Sequence, residues 1–146
     1  MKKTIFLSVL IGAFLFSVAA FAQQVNWHVT NQVTVVWDAP TTLSNGNPIP
    51  SDNSLKYRVY IKRDAPDAQA QEVTTDPISE TQYTITLSEE GRYFVGVRAL
   101  RFDANDTQIS ESAISWSNDP NVVANGEEFG VQYFVPPSPA DGIRLR

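Results

Sequence analysis

The chain of 146 residues contains no cysteine and a single histidine, His28. Without cysteine there is no disulfide, no thiol nucleophile and no cysteine-ligated metal. One histidine is too few for a histidine-ligated metal centre. A Ser-His-Asp triad would have to use it, and no G-x-S-x-G motif accompanies the serines. The alternation of Trp27 and Val29 around His28 predicts that the histidine faces outward from a strand. The sequence therefore predicts a protein that is not an enzyme and holds no metal or cofactor.

Sustained helical spacing of apolar residues is also missing beyond residue 22, where the hydrophobic period is two. Alternation is clearest in "LKYRVYIKR" (residues 55–63) and "RYFVGVRAL" (residues 92–100). It recurs in residues 25–30, 33–38, 82–87, 112–117 and 129–135. Glycine, proline, asparagine and aspartate separate these segments. Seven short strands at this spacing predict an all-β protein, a seven-stranded antiparallel β-sandwich.

The longest apolar run lies at the amino terminus, where Lys2 and Lys3 precede "TIFLSVLIGAFLFSVAAF". The run ends in the small-x-small pattern Ala20-Phe21-Ala22, which is typical of a secretory signal peptide over residues 1–22. An uncleaved membrane anchor is the alternative, because about 20 apolar residues can span a bilayer. The pattern and the polar residues after it favour cleavage. We therefore expect a secreted protein, located outside the cell, at the cell surface or in the periplasm, with no membrane span after cleavage.

Basic residues are few, with 11 lysines and arginines against 16 aspartates and glutamates. Removal of residues 1–22 takes away two lysines and leaves a net charge of −7. A nucleic acid or an anionic membrane would repel such a surface, so neither is expected as a partner.

Several motifs in order resemble a fibronectin type III domain over residues 25–118. The segment "VTVVWDAP" places Trp37 before a strand-ending Asp38-Ala39-Pro40, and "NGNPIP" precedes the strand with "YRVY". Leu87, Gly91 and Tyr93 match the family's tyrosine corner, in which a buried phenol hydroxyl bonds to nearby backbone. The resemblance implies a domain over residues 23–118. It also implies a structural core of Trp37, Tyr57, Leu87, Tyr93, Val95 and Val97.

The resemblance implies a non-catalytic module that binds protein, as a spacer, an adhesive domain or a building block of an extracellular assembly. The alternative is a small carbohydrate-binding module that uses aromatic side chains as stacking surfaces. Its predicted binding residues are Tyr60, Phe94, Trp116 and Tyr133. Tyr60 and Phe94 stand on the outward phase of their strands, and Gly96 on the same phase indicates close approach by another group. Cover of this face by the protein's own tail is the favoured interpretation, and a binding platform is the alternative.

Residues 119–146 lie beyond the family pattern and are predicted to form a carboxy-terminal extension with one or two extra strands. Their last segment, "PPSPADGIRLR", resembles the opening strand of a type III domain, and it suggests self-association through Ile143 and Leu145 into a head-to-tail filament. The position for a first strand beside residues 33–38 is expected to be filled by residues 25–30, leaving part of that edge unpaired. Docking of the tail on its own sheet remains the alternative to docking on a neighbour.

The segment between residues 103 and 106 supplies Asp103, Asn105 and Asp106, oxygen ligands of the type that calcium binds. It lacks the glycine and closing glutamate of an EF-hand loop. A turn stabilised by its own side chains is the favoured interpretation.

Overall fold

The computed structural model describes residues 24–142 and residue 144. The predicted signal peptide, Gln23, Ile143 and Leu145 lie outside the described residues. The described elements are β1 (Asn26–Val29), β2 (Gln32–Val36), β3 (Ser54–Arg63), β4 (Gln71–Glu72), β5 (Gln82–Thr86), β6 (Gly91–Phe102), β7 (Gln108–Glu111), β8 (Ser115–Trp116), a single 3-10 turn (Ala124–Gly126) and β9 (Phe129–Tyr133). Within the described ranges no helix is long and apolar enough to cross a membrane.

Two sheets of unequal size form the protein. The large sheet has the order β1-β9-β6-β3-β4, and β7 and β8 pair with β6 on the same side as β9. The small sheet contains only β2 and β5. The prediction of an all-β, sandwich-like protein is confirmed. One pairing departs from the predicted antiparallel arrangement, because β1 runs parallel to β9.

The long strands β3 and β6 form the centre of the large sheet and pair over ten residues, from Ser54 opposite Phe102 to Arg63 opposite Tyr93. Their strict alternation turns one row of side chains toward the small sheet. The core between the sheets consists of Val35, Ile85 and Leu87 on one side and Val59, Ile61, Tyr93, Val95 and Val131 on the other. Of the remaining core residues predicted from the resemblance, Tyr57 is buried, whereas Trp37 and Val97 are half-buried.

β1 joins the large sheet, so the expectation that residues 25–30 lie beside β2 is wrong. The switch between sheets takes one residue. The Thr30 N–H still donates to Gln132 O over 3.0 Å in the β1–β9 ladder, whereas Asn31 O already accepts from Leu87 N over 2.7 Å in the β2–β5 ladder. The Thr30 hydroxyl stabilises this crossing by donating to Gln32 O and accepting from Gln32 N. Among the described residues, one edge of β2 is consequently left without a partner strand.

β9 lies inside the large sheet, between β6 and β1. The sheet therefore continues past the sequence boundary predicted at residue 118, and the predicted extension supplies one of its strands. Gly130 permits this position, because a Cβ there would collide with the ring of Trp27 on β1. After β9, residues 134–142 are exposed and form no strand.

Candidate interaction site

The outer edge of β2 is open along Thr34 and Val36. In the β2–β5 ladder, Trp37 N donates to Thr81 O and Leu87 N donates to Asn31 O, so the odd-numbered residues of β2 direct their backbone groups toward β5. The even-numbered residues direct theirs the opposite way. The Thr30 hydroxyl bonds to the outward backbone N–H and C=O of Gln32. No described strand pairs with the outward backbone groups of Thr34 and Val36. An edge of this kind is a template for another strand.

The side chains along this edge do not protect it. Natural sheets discourage pairing at an edge with lysine, proline or a bulge, and β2 reads Gln-Val-Thr-Val-Val. Val36 is 72% exposed on the face opposite the buried Val35. The doublet Val35-Val36 interrupts the alternation of the strand, and it was the sequence signal for an apolar outer surface here.

A groove of about 460 Å³ runs beside the open edge, between the two sheets. One wall is formed by Val35 of the small sheet and by the segment that follows β2, including Trp37. The opposite wall comes from β6, β8, the segment before β9 and the first residue of β9, including Val97, Val123 and Phe129. A strand added to β2 would cover this groove, since its inward side chains would continue the inner face of the small sheet.

Trp37 provides a polar group inside this apolar setting. Its indole Nε1 is buried and has no hydrogen-bond partner in the part of the chain that the structure describes. The Nε atoms of Arg98 and Arg101 are also buried without a hydrogen-bond partner in the described residues. Each of these guanidinium groups has further N–H donors, whereas the indole of Trp37 has only Nε1. The ring of Trp37 packs edge-on against Tyr57, with centroids 5.3 Å apart. A buried donor without an acceptor is costly, which favours occupation by a group that can accept.

The residues that line the groove include the acid Asp38 and no lysine or arginine. Neither residues 24–55 nor residues 102–142, which supply much of the lining, include a lysine or arginine. Seven basic residues are confined to β3 and β6: Lys56, Arg58, Lys62, Arg63, Arg92, Arg98 and Arg101. The electrostatic field at the open edge therefore favours a cationic ligand.

The predicted aromatic face lies on the other side of the large sheet and is largely covered. Tyr60 and Phe94 are only 9% and 7% exposed. Trp27 packs on Phe94 with ring centroids 5.3 Å apart, and Trp116 lies directly over Gly96. The close approach predicted at Gly96 is thus made by the protein's own Trp116 and Ile114.

Cations stack on these rings. Lys62 Nζ lies 4.3 Å from the centroid of the Trp116 ring, while Arg92 and Arg98 lie over Trp27 and Tyr60. Burial raises the pKa of the Tyr60 phenol, and the nearby Glu72 adds to the increase against the opposing effect of Arg98 and Arg58. The stacking positions that a sugar would use are therefore already occupied by side chains of the same sheet.

Tyr133 does not join the other three predicted carbohydrate-binding residues. It lies on β9 opposite Gly91 and packs against the core between the sheets. Tyr60, Phe94 and Trp116 share the outer face of the large sheet, so the structure brings together three of the four residues.

The Asp103–Asp106 loop is organised by its own hydrogen bonds. Asp103 Oδ1 accepts from the backbone N–H groups of Asn105 and Thr107, each over 2.9 Å, and Asp106 forms an ion pair with Lys56 over 2.7 Å. The hydrogen bond from Thr107 is the main reason that the pKa of Asp103 lies below its ordinary value, with a further contribution from Asn105. No cluster of three metal-ligating side chains occurs among the described residues.

His28 is exposed on β1, with its ring 6.2 Å from that of Phe129. Its predicted phase is wrong, because Trp27 packs on the outer face of the large sheet and His28 lies opposite the core residue Val131. No protein-family model matches the chain, and comparison with curated proteins found no significant match.

Proposed function

We propose that this protein is an exported, non-catalytic interaction module that binds an extended segment of a protein partner at the open edge of β2. The observation that carries the proposal is the edge itself, where no strand of the described residues lies beside Thr34 and Val36. The groove next to the edge and the unpaired Nε1 of Trp37 support it.

Strand addition suits this edge because backbone hydrogen bonds would provide affinity, while side chains in the groove would provide specificity. The ladder to Thr34 and Val36 would supply sequence-independent backbone hydrogen bonds. Alternate side chains of the ligand would enter the groove, where apolar surface contributes about 25 cal/mol for each Å² removed from water. Asp38, which lines the groove beside the edge, would favour ligands with basic residues.

We propose further that the fold is of the fibronectin type III or immunoglobulin-like kind. Support comes from the tyrosine corner, in which the Tyr93 hydroxyl donates to Glu89 O. The parallel pairing of β1 with β9 departs from the family pattern. That departure is what opens the edge of β2, so the proposed function depends on a feature that the resemblance did not imply.

Export rests on the amino-terminal pattern in residues 1–22. The protein would then act outside the cell, at the cell surface or in the periplasm. Because it has no cysteine, its stability there would come from the hydrophobic core and not from disulfides.

A displayed library of random peptides tests the binding mode. We expect the protein that begins at Gln23 to select peptides with alternating apolar residues and at least one basic residue. Thr34→Pro should abolish their binding, because proline removes the outward N–H while leaving the bonds of Val33 and Val35 to β5. Thr84→Val is the matched control, because the Thr34 and Thr84 hydroxyls bond only to each other across the ladder.

Trp37 offers an independent test on the same peptides. Replacement of Trp37 with its benzothienyl analogue keeps the ring size and removes the Nε1 donor. The free protein should be as stable as before or more stable, while affinity for the selected peptides should fall. Undiminished binding by both the Thr34→Pro and the Trp37-substituted proteins would show that the ligand site lies elsewhere.

A further inference from the structure

We propose that the occupant of the β2 edge is residues 143–146 of a second copy of this chain, so that the protein joins to itself head to tail. This inference rests on the function proposed above and names its partner.

The segment has the alternation that the site requires. Ile143 and Leu145 alternate with Arg144 and Arg146. On a strand, successive side chains point to opposite faces, so Ile143 and Leu145 would share one face and the two arginines the other. Paired with Thr34 and Val36, the segment would place its apolar residues in the groove lined by Trp37 and its arginines at the rim.

Charge complementarity singles out this segment within the chain. Beyond residue 22, Arg144 and Arg146 are the basic residues that do not belong to β3 or β6. The groove lining includes Asp38 and no lysine or arginine. The arginines of the segment thus match the acidic side chain beside the open edge.

The route of the chain after β9 favours a second copy over the same molecule. The N–H of Val135 donates to Glu90 Oε1 over 2.6 Å, which anchors the chain at the start of β6. Pro136, Pro137 and Pro139 then follow, and residues 134–142 are exposed. A proline-rich spacer is extended, at about 3.1 Å per residue, and semi-rigid, so it carries the segment away from its own body.

Such a contact joins two different surfaces, the edge of one copy and the tail of the next. A heterologous contact continues into an open chain of subunits unless its rotation closes a ring. The expected products are therefore oligomers whose length increases with concentration.

Sedimentation velocity of the protein that begins at Gln23 tests the contact. We expect concentration-dependent oligomers and weaker association at high salt, since the rim charges are exposed. The double variant Ile143→Asp/Leu145→Asp should weaken association by about tenfold to a hundredfold or more. This is the loss expected when a buried aliphatic side chain is replaced by a charge. The matched control Ser138→Asp/Ala140→Asp adds the same charge in the spacer and should associate as the parent protein does. Monomeric parent protein at all concentrations, or equal association by both double variants, would overturn the proposal.

Cysteine cross-linking identifies which copy donates the segment, with no background because the chain lacks cysteine. An equimolar mixture of Arg144→Cys protein with Thr34→Cys or Val36→Cys protein should oxidise mainly to disulfide-linked heterodimers. The heterodimer fraction should be well above the fraction expected from random pairing of the two proteins. A statistical mixture of dimers, or a monomeric intramolecular disulfide in the Thr34→Cys/Arg144→Cys double variant, would overturn the inference. If library peptides bind at β2 while these tests fail, the partner is another protein and the proposed function stands. If Thr34→Pro leaves peptide binding intact, the proposed function itself fails.

Discussion

The hydroxyl of Tyr93, in β6, donates a hydrogen bond of 3.1 Å to the backbone carbonyl of Glu89, in the turn that follows β5. Arg63 covers the Tyr93 ring at 5.1 Å and holds the same turn through Glu89 Oε2 and Glu90 O. The small sheet and the large sheet are thus fastened together where the chain passes from one to the other.

Tyr93→Phe should lower the free energy of unfolding by about 0.5–1.5 kcal/mol, the net contribution of a typical hydrogen bond, because the part-buried bond to the Glu89 carbonyl is lost. Urea titration measures the loss. Tyr133→Phe is a suitable control, since the Tyr133 hydroxyl has no hydrogen bond to any described residue, and it should change stability little. A Tyr93→Phe protein as stable as its parent would mean that the corner contributes nothing.

Gly96→Ala should destabilise the protein by about 1–3 kcal/mol, the usual effect of overpacking. An added Cβ would lie 2.5 Å from Ile114 Cγ2 and 2.7 Å from Trp116 Cε3. Thermal or urea unfolding provides the measurement. In an Ile114→Ala/Trp116→Ala background, which removes both clashes, the same substitution should cost much less, and equal costs in the two backgrounds would place these side chains elsewhere.

Asp103 should make stability depend on acid pH. Its pKa is lowered in the folded protein, chiefly by the hydrogen bond from Thr107. Its contribution is therefore present above the ordinary pKa of aspartate and is lost as the pH falls through the lower, folded-state pKa. In urea titrations at several acid pH values, Asp103→Asn should remove this part of the pH dependence while keeping the acceptor oxygen. Asp103→Ala should remove it and also lower stability throughout, and an unchanged pH profile in both would contradict the role of the turn.

Lys62 should stabilise the outer face through the ring of Trp116. Lys62→Met keeps the aliphatic stem and should cost about 0.5–1 kcal/mol, the value of a partly exposed cation–π contact. Lys62→Arg retains the charge and should cost less, and tryptophan fluorescence during unfolding reports both. Glycan binding that is lost on Trp116→Ala, with no loss of stability, would instead support the carbohydrate-binding alternative.

Mass spectrometry of the exported protein should find Gln23, or its cyclised form, at the amino terminus. The Ala20-Phe21-Ala22 pattern places cleavage after Ala22. Recovery of the uncleaved chain from the membrane fraction would favour the anchor and argue against a secreted protein.

Alternation in the sequence was sufficient to locate the principal strands, because it directly records which side chains face the core. The segment 55–63 illustrates this, since Tyr57, Val59 and Ile61 are buried in β3. The short strands β4 and β7 were missed. These strands pair through their backbones with the longer strands β3 and β6, Glu72 opposite Tyr60 and Glu111 opposite Leu100. They contain too few apolar residues to give a periodic signal in the sequence.

The sequence could not predict which sheet β1 joins, or that Trp27 and Trp116 rather than the carboxy-terminal tail cover the outer face. Val29 is 75% exposed and Trp27 packs on the outer face of the large sheet, although alternation assigned both to the core. A four-residue strand has too few side chains to specify its partner, and the choice depends on Gly130, which is distant in sequence. The candidate site is the consequence of that choice, so it was not visible before the pairing was known.

The small sheet has the least cooperative support in the molecule. Among the described strands β2 and β5 pair only with each other, whereas β6 pairs with four neighbours. We expect β2 and β5 to detach together in sub-global opening, so that their amide protons exchange with solvent before those of β3 and β6. A strand bound to Thr34 would exist only in the closed form. Its binding should therefore slow exchange at Ile85 on β5, a residue that the ladder of the incoming strand never reaches.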